Sequence, residues 1–125
     1  MLIDTHCHLD AAEFDVDRDA VHATALAAGV KRIVVPSVTV DGLNQLKICL
    51  AQYSGCVAAY GIHPLYVMQA KENDLATLTH WLANENPVAV GEIGLDHFVT
   101  DIDHARQEWF FIEQLKLAKQ FDLPV

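Results

Sequence analysis

Basic residues are scarce in this sequence: 8 Lys and Arg stand against 17 Asp and Glu, for a formal charge of −9. That balance excludes a large basic surface able to hold a long nucleic acid electrostatically, so a phosphate-bearing substrate needs another attraction, which a bound metal ion can supply. Cysteine is sparse and odd in number, with Cys7, Cys49 and Cys56 forming no CxxC. A disulfide framework is not expected, and reduced thiols suit a cytoplasmic protein. No apolar run approaches the ~18 to 20 residues of a membrane span. The opening MLIDTHCHLD lacks the basic start, apolar run and small-residue cleavage site of a secretory leader. No linker, low-complexity tract or obvious repeat interrupts the chain.

What remains is a chain of 125 residues, 52% hydrophobic and 8% aromatic, enough for one domain with a buried core. Strand-like runs alternate with helix-like ones, which implies an α/β fold with a parallel sheet. The first strand is expected over Leu2 to His8, followed by a helix in DRDAVHATALAAG with Gly29 in the left-handed position past its end. KRIVVPSV reads as the second strand, and Asp41 as the N-cap of a helix striped by Leu43, Leu46, Leu50 and Tyr53. CVAAYGIHP is the third strand, with Asn73 or Asp74 capping a helix that carries Leu75, Leu78 and Leu82. PVAVGEIGLD is the fourth, a helix over Ile102 to Phe121 places Phe111, Leu115, Ala118 and Phe121 on one face, and LPV opens another β-like run. A closed barrel of eight such units needs roughly 250 residues. Residues 1–125 therefore read as the first half of a TIM-type (β/α)8 barrel, with a small open sheet covered on both faces as the alternative.

Side chains two apart in a strand share a face, so His6 and His8 point the same way near the strand's C-terminal end, where parallel α/β folds place their sites. Two neutral imidazoles on one face can ligate a divalent metal, although an HxH also suits histidines that only hydrogen-bond near a strand end. Glu92 is an anomaly in the apolar VAVGEIGLD, because a carboxylate in a buried strand is costly unless a metal, a hydrogen bond or a basic partner compensates it. His63 closes the third strand, and Pro64 holds it in an extended or turn conformation at the rim. Asp10 and Asp96 sit just beyond strand ends, placed either to orient a ligand imidazole and bind substrate or to cap a helix or turn. Cys7 faces away from the histidines and reads as packing. His22, His80 and His104 lie on helices away from the mouth, His97 is within reach of it, and Gln107 and Glu108 read as ordinary exposed positions.

In order and spacing, IDTHCHLD, YGIHP, VAVGEIGLDHF and QEWFFIEQLKLAKQFDLPV resemble the TatD family of metal-dependent deoxyribonucleases in the amidohydrolase superfamily. The resemblance covers almost the whole chain, and GEIGLD separates this family from amidohydrolases that carry a lysine there. It implies a barrel with two divalent ions (zinc, magnesium or manganese) at its mouth, His6 and His8 binding one and Glu92 bridging both, as metal ligands and catalytic group. It places His63 near the substrate phosphate; from their positions beyond the strand ends, Asp96 is expected on the substrate side and Asp10 behind the ligands. The implied activity is hydrolysis of DNA phosphodiester bonds, often as a 3′ to 5′ exonuclease. The family's other ligands, two histidines and an aspartate from later strands, are expected beyond Val125. Two further readings stay open: hydrolysis of C–N or ester bonds by the same metals, and a non-catalytic half-barrel that covers its open sheet edges by forming a homo-oligomer.

Overall fold

The computed structural model describes all 125 residues. Four strands, β1 (Leu2–Asp4), β2 (Val30–Pro36), β3 (Cys56–Tyr60) and β4 (Ala89–Val90), form one sheet in the order β1-β2-β3-β4. All neighbours are parallel, with Asp4 opposite Ile33, Pro36 opposite Ala59 and Tyr60 opposite Val90. Helices α1 (Arg18–Ala27), α2 (Leu43–Gln52) and α3 (Asp74–Asn84) connect successive strands, and α4 (His104–Gln120) follows β4. This is the first half of a (β/α)8 barrel; Val90 N–H donates to the Pro124 carbonyl at 2.9 Å, which sets the LPV segment beside β4, although LPV is not itself a strand.

The two-residue period of the strands sorts their side chains into two layers. Ile33 and Val35, with Ala58, Tyr60 and Val90, are buried with Leu43, Leu46, Leu78, Leu82 and Phe110 in a core of strand and helix side chains. Each such buried large side chain contributes about 1.5–3 kcal/mol. Val34, Pro36 and Ala59 instead line a groove of about 530 Å³, together with Thr5, Glu92 and Phe111.

Several strand ends fall short of the expected ones, each for a local reason. β1 stops at Asp4 because the Asp4 carboxylate accepts the His6 main-chain N–H at 3.0 Å, removing it from the ladder. β4 stops at Val90, after which Gly91 N–H still donates to Tyr60 but Glu92 N–H donates to the Ser37 carbonyl at 3.1 Å. Thr39, not Asp41, caps the segment before α2, its hydroxyl accepting the Gly42 N–H at 3.3 Å. Asn73 makes no side-chain cap, and the Asp74 carboxylate accepts the Lys71 N–H. Gly29 adopts φ +92° just past α1, as expected of a left-handed helix end. The buried face of α4 is Gln107, Phe110, Gln114 and Ala118, whereas Leu115 is 38% exposed.

Candidate metal centre

Beyond the Asp4 turn, Cys7 N–H returns to the sheet by donating to the Val34 carbonyl at 3.0 Å. Cys7 packs against the core, and His6 and His8 meet on the other side with their Nε2 atoms 3.1 Å apart. His8 Nδ1 lies 3.1 Å from the Pro36 carbonyl, which can only accept. The ring proton is therefore on Nδ1, and Nε2 presents its lone pair beside His6, the orientation of a metal-binding imidazole.

Glu92 reaches the same point from β4 through a tight stack of main chain. The Ser37 hydroxyl donates to the Gly61 carbonyl and accepts the Gly61 N–H, both at 2.8 Å, while the Ser37 carbonyl accepts the Glu92 N–H. Gly61 has no room for a side chain: a Cβ there would lie 2.7 Å from the Gly91 carbonyl carbon and 3.0 Å from Glu92 N. So fixed, Glu92 Oε2 is 3.2 Å from His6 Nε2 and 3.4 Å from His8 Nε2, and Oε1 is 3.3 Å from His63 Nε2.

Oε2 is buried and has no hydrogen-bond partner. A carboxylate oxygen in that state is costly, and crowding it against an imidazole lone pair adds to the cost. A cation removes the conflict. Bonds of about 2.0 to 2.2 Å to one divalent ion place its nitrogen and oxygen donors roughly 3 to 3.5 Å apart, and the three measured separations lie in that range. The donor set His6, His8 and Glu92 thus fits a divalent ion.

His63 begins the 3-10 turn Pro64–Tyr66, and its Nδ1 accepts the Leu65 N–H at 3.0 Å. In the neutral ring the proton is then on Nε2, which makes His63 a donor facing Glu92 and the cleft. That cleft, about 540 Å³, is lined by His8, Asp10, Phe14, His63, Leu65 and Tyr66 among others. Burial raises the Asp10 carboxyl pKa, and the acceptor that orients the His8 ring is the Pro36 carbonyl, not Asp10. Asp96 Oδ1 accepts the Phe98 N–H at 2.9 Å in a local turn, outside the His6, His8 and Glu92 cluster. His97 is exposed and stacks on His104, with ring centroids 4.3 Å apart. His22 is packed, its Nε2 2.9 Å from the Ser54 carbonyl.

Gln107, expected to be exposed, and Gln114 prove to be buried parts of this mouth. Gln107 is 0% and Gln114 1% exposed, and both bind the main chain that carries the site. The available signal was two amides seven residues apart on an amphipathic helix, a spacing that puts them on one face.

A parallel α/β barrel half with a histidine and carboxylate cluster able to hold a metal ion at its strand ends is the arrangement this chain presents. The TatD related DNase family profile matches residues 3–125, and the chain belongs to that family. It is 41% identical over 125 residues to the uncharacterized metal-dependent hydrolase YjjV of Escherichia coli K12, covering 98% of this chain and 48% of the relative. It is 32% identical over 124 residues to the 3′-5′ ssDNA/RNA exonuclease TatD of Cronobacter sakazakii, covering 99% of this chain and 47% of that one. The crystal structure of YjjV, a TatD homolog from Escherichia coli K12, superposes with a TM-score of 0.92 at 40% identity, over 99% of this chain and 49% of that one. The chain spans about half the length of the curated relatives it matches.

Proposed function

We propose that this protein acts as a divalent-metal-dependent phosphodiesterase on DNA, as a 3′ to 5′ exonuclease, with its 125 residues forming one half of a barrel that holds two ions. The observation that carries this reading is the convergence of two imidazole Nε2 atoms on the buried, unpartnered Oε2 of Glu92. His6, His8 and Glu92 would hold the ion, which supplies Lewis acidity toward a phosphoryl oxygen and activates water. The second oxygen of Glu92 points toward His63, and a second ion, if held, would draw on this same carboxylate.

The chain's own groups divide the remaining work. The Pro36 carbonyl keeps the proton of His8 on Nδ1, so the ligand lone pair is ready without a proton transfer. The Leu65 N–H keeps the proton of His63 on Nε2, where it can be donated to a non-bridging phosphate oxygen. Asp96 is assigned to the substrate side through the loop after β4, and Asp10 to the wall of the cleft beside His8. The name of the Cronobacter relative, a single-strand DNA and RNA exonuclease, supports nucleic acid as the substrate class.

The test is release of nucleotides from a 5′-labelled single-stranded oligonucleotide with zinc, magnesium or manganese supplied in turn. Metal-dependent shortening from the 3′ end is expected, with Glu92→Gln lowering the rate at least about a hundredfold, because several kcal/mol of charge stabilisation depend on the metal. Turnover that is indifferent to metal or to this substitution contradicts the reading, and activity on amides or lactones without any on DNA would redirect it to C–N or ester bonds.

A further inference from the structure

We propose that Gln107 and Gln114 are positioning residues of this site: from one face of α4 they hold the main chain on both sides of His63 and tie it to the loop that follows Glu92. Gln114 Oε1 accepts the Ile62 N–H at 2.6 Å, and its Nε2 donates to the Ile62 carbonyl at 3.2 Å and to the Phe110 carbonyl at 3.1 Å. The side-chain amide thus pairs with both polar groups of Ile62, as a neighbouring strand would, at a residue only 1% exposed. Two turns earlier, Gln107 Nε2 donates to the Pro64 and Asp96 carbonyls at 3.2 Å each, and its Oε1 accepts the Asp96 N–H at 2.8 Å.

The residues so held are 62 and 64, the two neighbours of His63. Between them, the His63 N–H donates to the Val38 carbonyl at 2.9 Å, and the ring is set by the Leu65 N–H. With both flanking residues fixed, the direction of Nε2 toward Glu92 follows from the backbone and not from a freely rotating rim side chain. Apart from the Gln114 bond to Phe110 within α4, every hydrogen bond of the two amides goes to the segment that bears His63 or to the loop that follows Glu92. A core-filling role would be met by leucine or methionine, which bury the same stretch without an amide to desolvate.

His6 and His8 depend on β1, β2 and Pro36, and not on α4. This separates positioning of His63 from support of the whole mouth. The inference rests on the reading of His63 as the phosphate-side group, and its main readout is independent of turnover.

Gln114→Glu and Gln107→Glu retain the acceptor and lose the donor, and Gln114→Met loses both. Ring-nitrogen NMR of the metal-free chain reads the histidine tautomers. The expected result is that His63, held with its proton on Nε2 in the parent protein, becomes a mixture of tautomers in each variant. His8 and His22 keep their signals. In phosphodiester hydrolysis the same variants are expected to raise KM about tenfold while kcat stays within about threefold, the pattern of lost substrate contact. Unchanged His63 signals, a joint shift of His63, His8 and His22, or loss of fold in all the variants would each overturn the proposal. A His63-confined shift in a protein that hydrolyses no phosphodiester upholds the positioning role and removes the phosphodiesterase reading instead.

Discussion

At the residue scale, burial and a single neighbouring carbonyl or amide set the chemistry of the important side chains. His8 and His63 are both imidazoles at the same mouth, yet the Pro36 carbonyl makes one an acceptor at Nε2 and the Leu65 amide makes the other a donor there. The thiols show burial as the leading effect, with neighbouring charges as smaller ones. Cys49 is 2% exposed, and desolvation pushes its pKa from 9.0 up to about 11, as it does for Cys56. Below pH 9 the folded and unfolded thiols are equally protonated and contribute nothing to pH dependence. Above it, the unfolded chain loses protons that the native state retains, so stability falls between about pH 9 and pH 11. The loss at Cys49 is on the order of 2 kcal/mol by pH 11. Calorimetric melting should therefore show Tm decreasing from pH 9 upward, with Cys49→Ser reducing the slope; a Tm that is flat to pH 11 would contradict the assignment.

At the scale of elements, the mouth depends on close approach between the ends of β2, β3 and β4. Gly61 is the pivot, since a side chain there would enter the Gly91 and Glu92 main chain. Gly61→Ala is expected to cost about 1–3 kcal/mol in stability, the range for overpacking a tight site. It should also weaken divalent-metal binding by displacing Glu92, as denaturant unfolding and metal titration would show. An alanine variant of parental stability and affinity would mean that the backbone yields freely. Much of this level was legible in the sequence. Alternation of patterns gave the parallel order, the Leu43 and Leu46 stripe gave the buried face of α2, and the period of two brought His6 and His8 together. Strand ends were not legible, because Asp4 and Ser37 divert main-chain hydrogen bonds that a propensity argument assigns to the ladder. Nor was the role of α4, whose glutamines act on Ile62, Pro64 and Asp96, partners that only the folded chain brings near.

At the scale of the whole molecule, the charge pattern of these 125 residues supports the proposal that a bound divalent ion is what would attract phosphate. Arg18 donates to the Leu9 and Ala11 carbonyls and pairs with Asp15, and Arg106 donates to the Val67 and Ala70 carbonyls. Lys47 and Lys116 pair with Glu85 and Glu113. No Lys or Arg lines the cleft beside His8 and His63 or the groove beside Glu92. The chain has no helix long and apolar enough to cross a membrane. A net charge of −9 would repel a polyanion from this mouth unless a divalent ion is held there. The most direct measurement of that claim is calorimetric titration of the metal-free protein with zinc, run alongside Glu92→Gln and His8→Ala. Saturable binding by the parent protein is expected, weakening about 10- to 100-fold or more in each variant while both remain folded. Absence of saturable binding by the parent, or equal affinity in all three proteins, would contradict it.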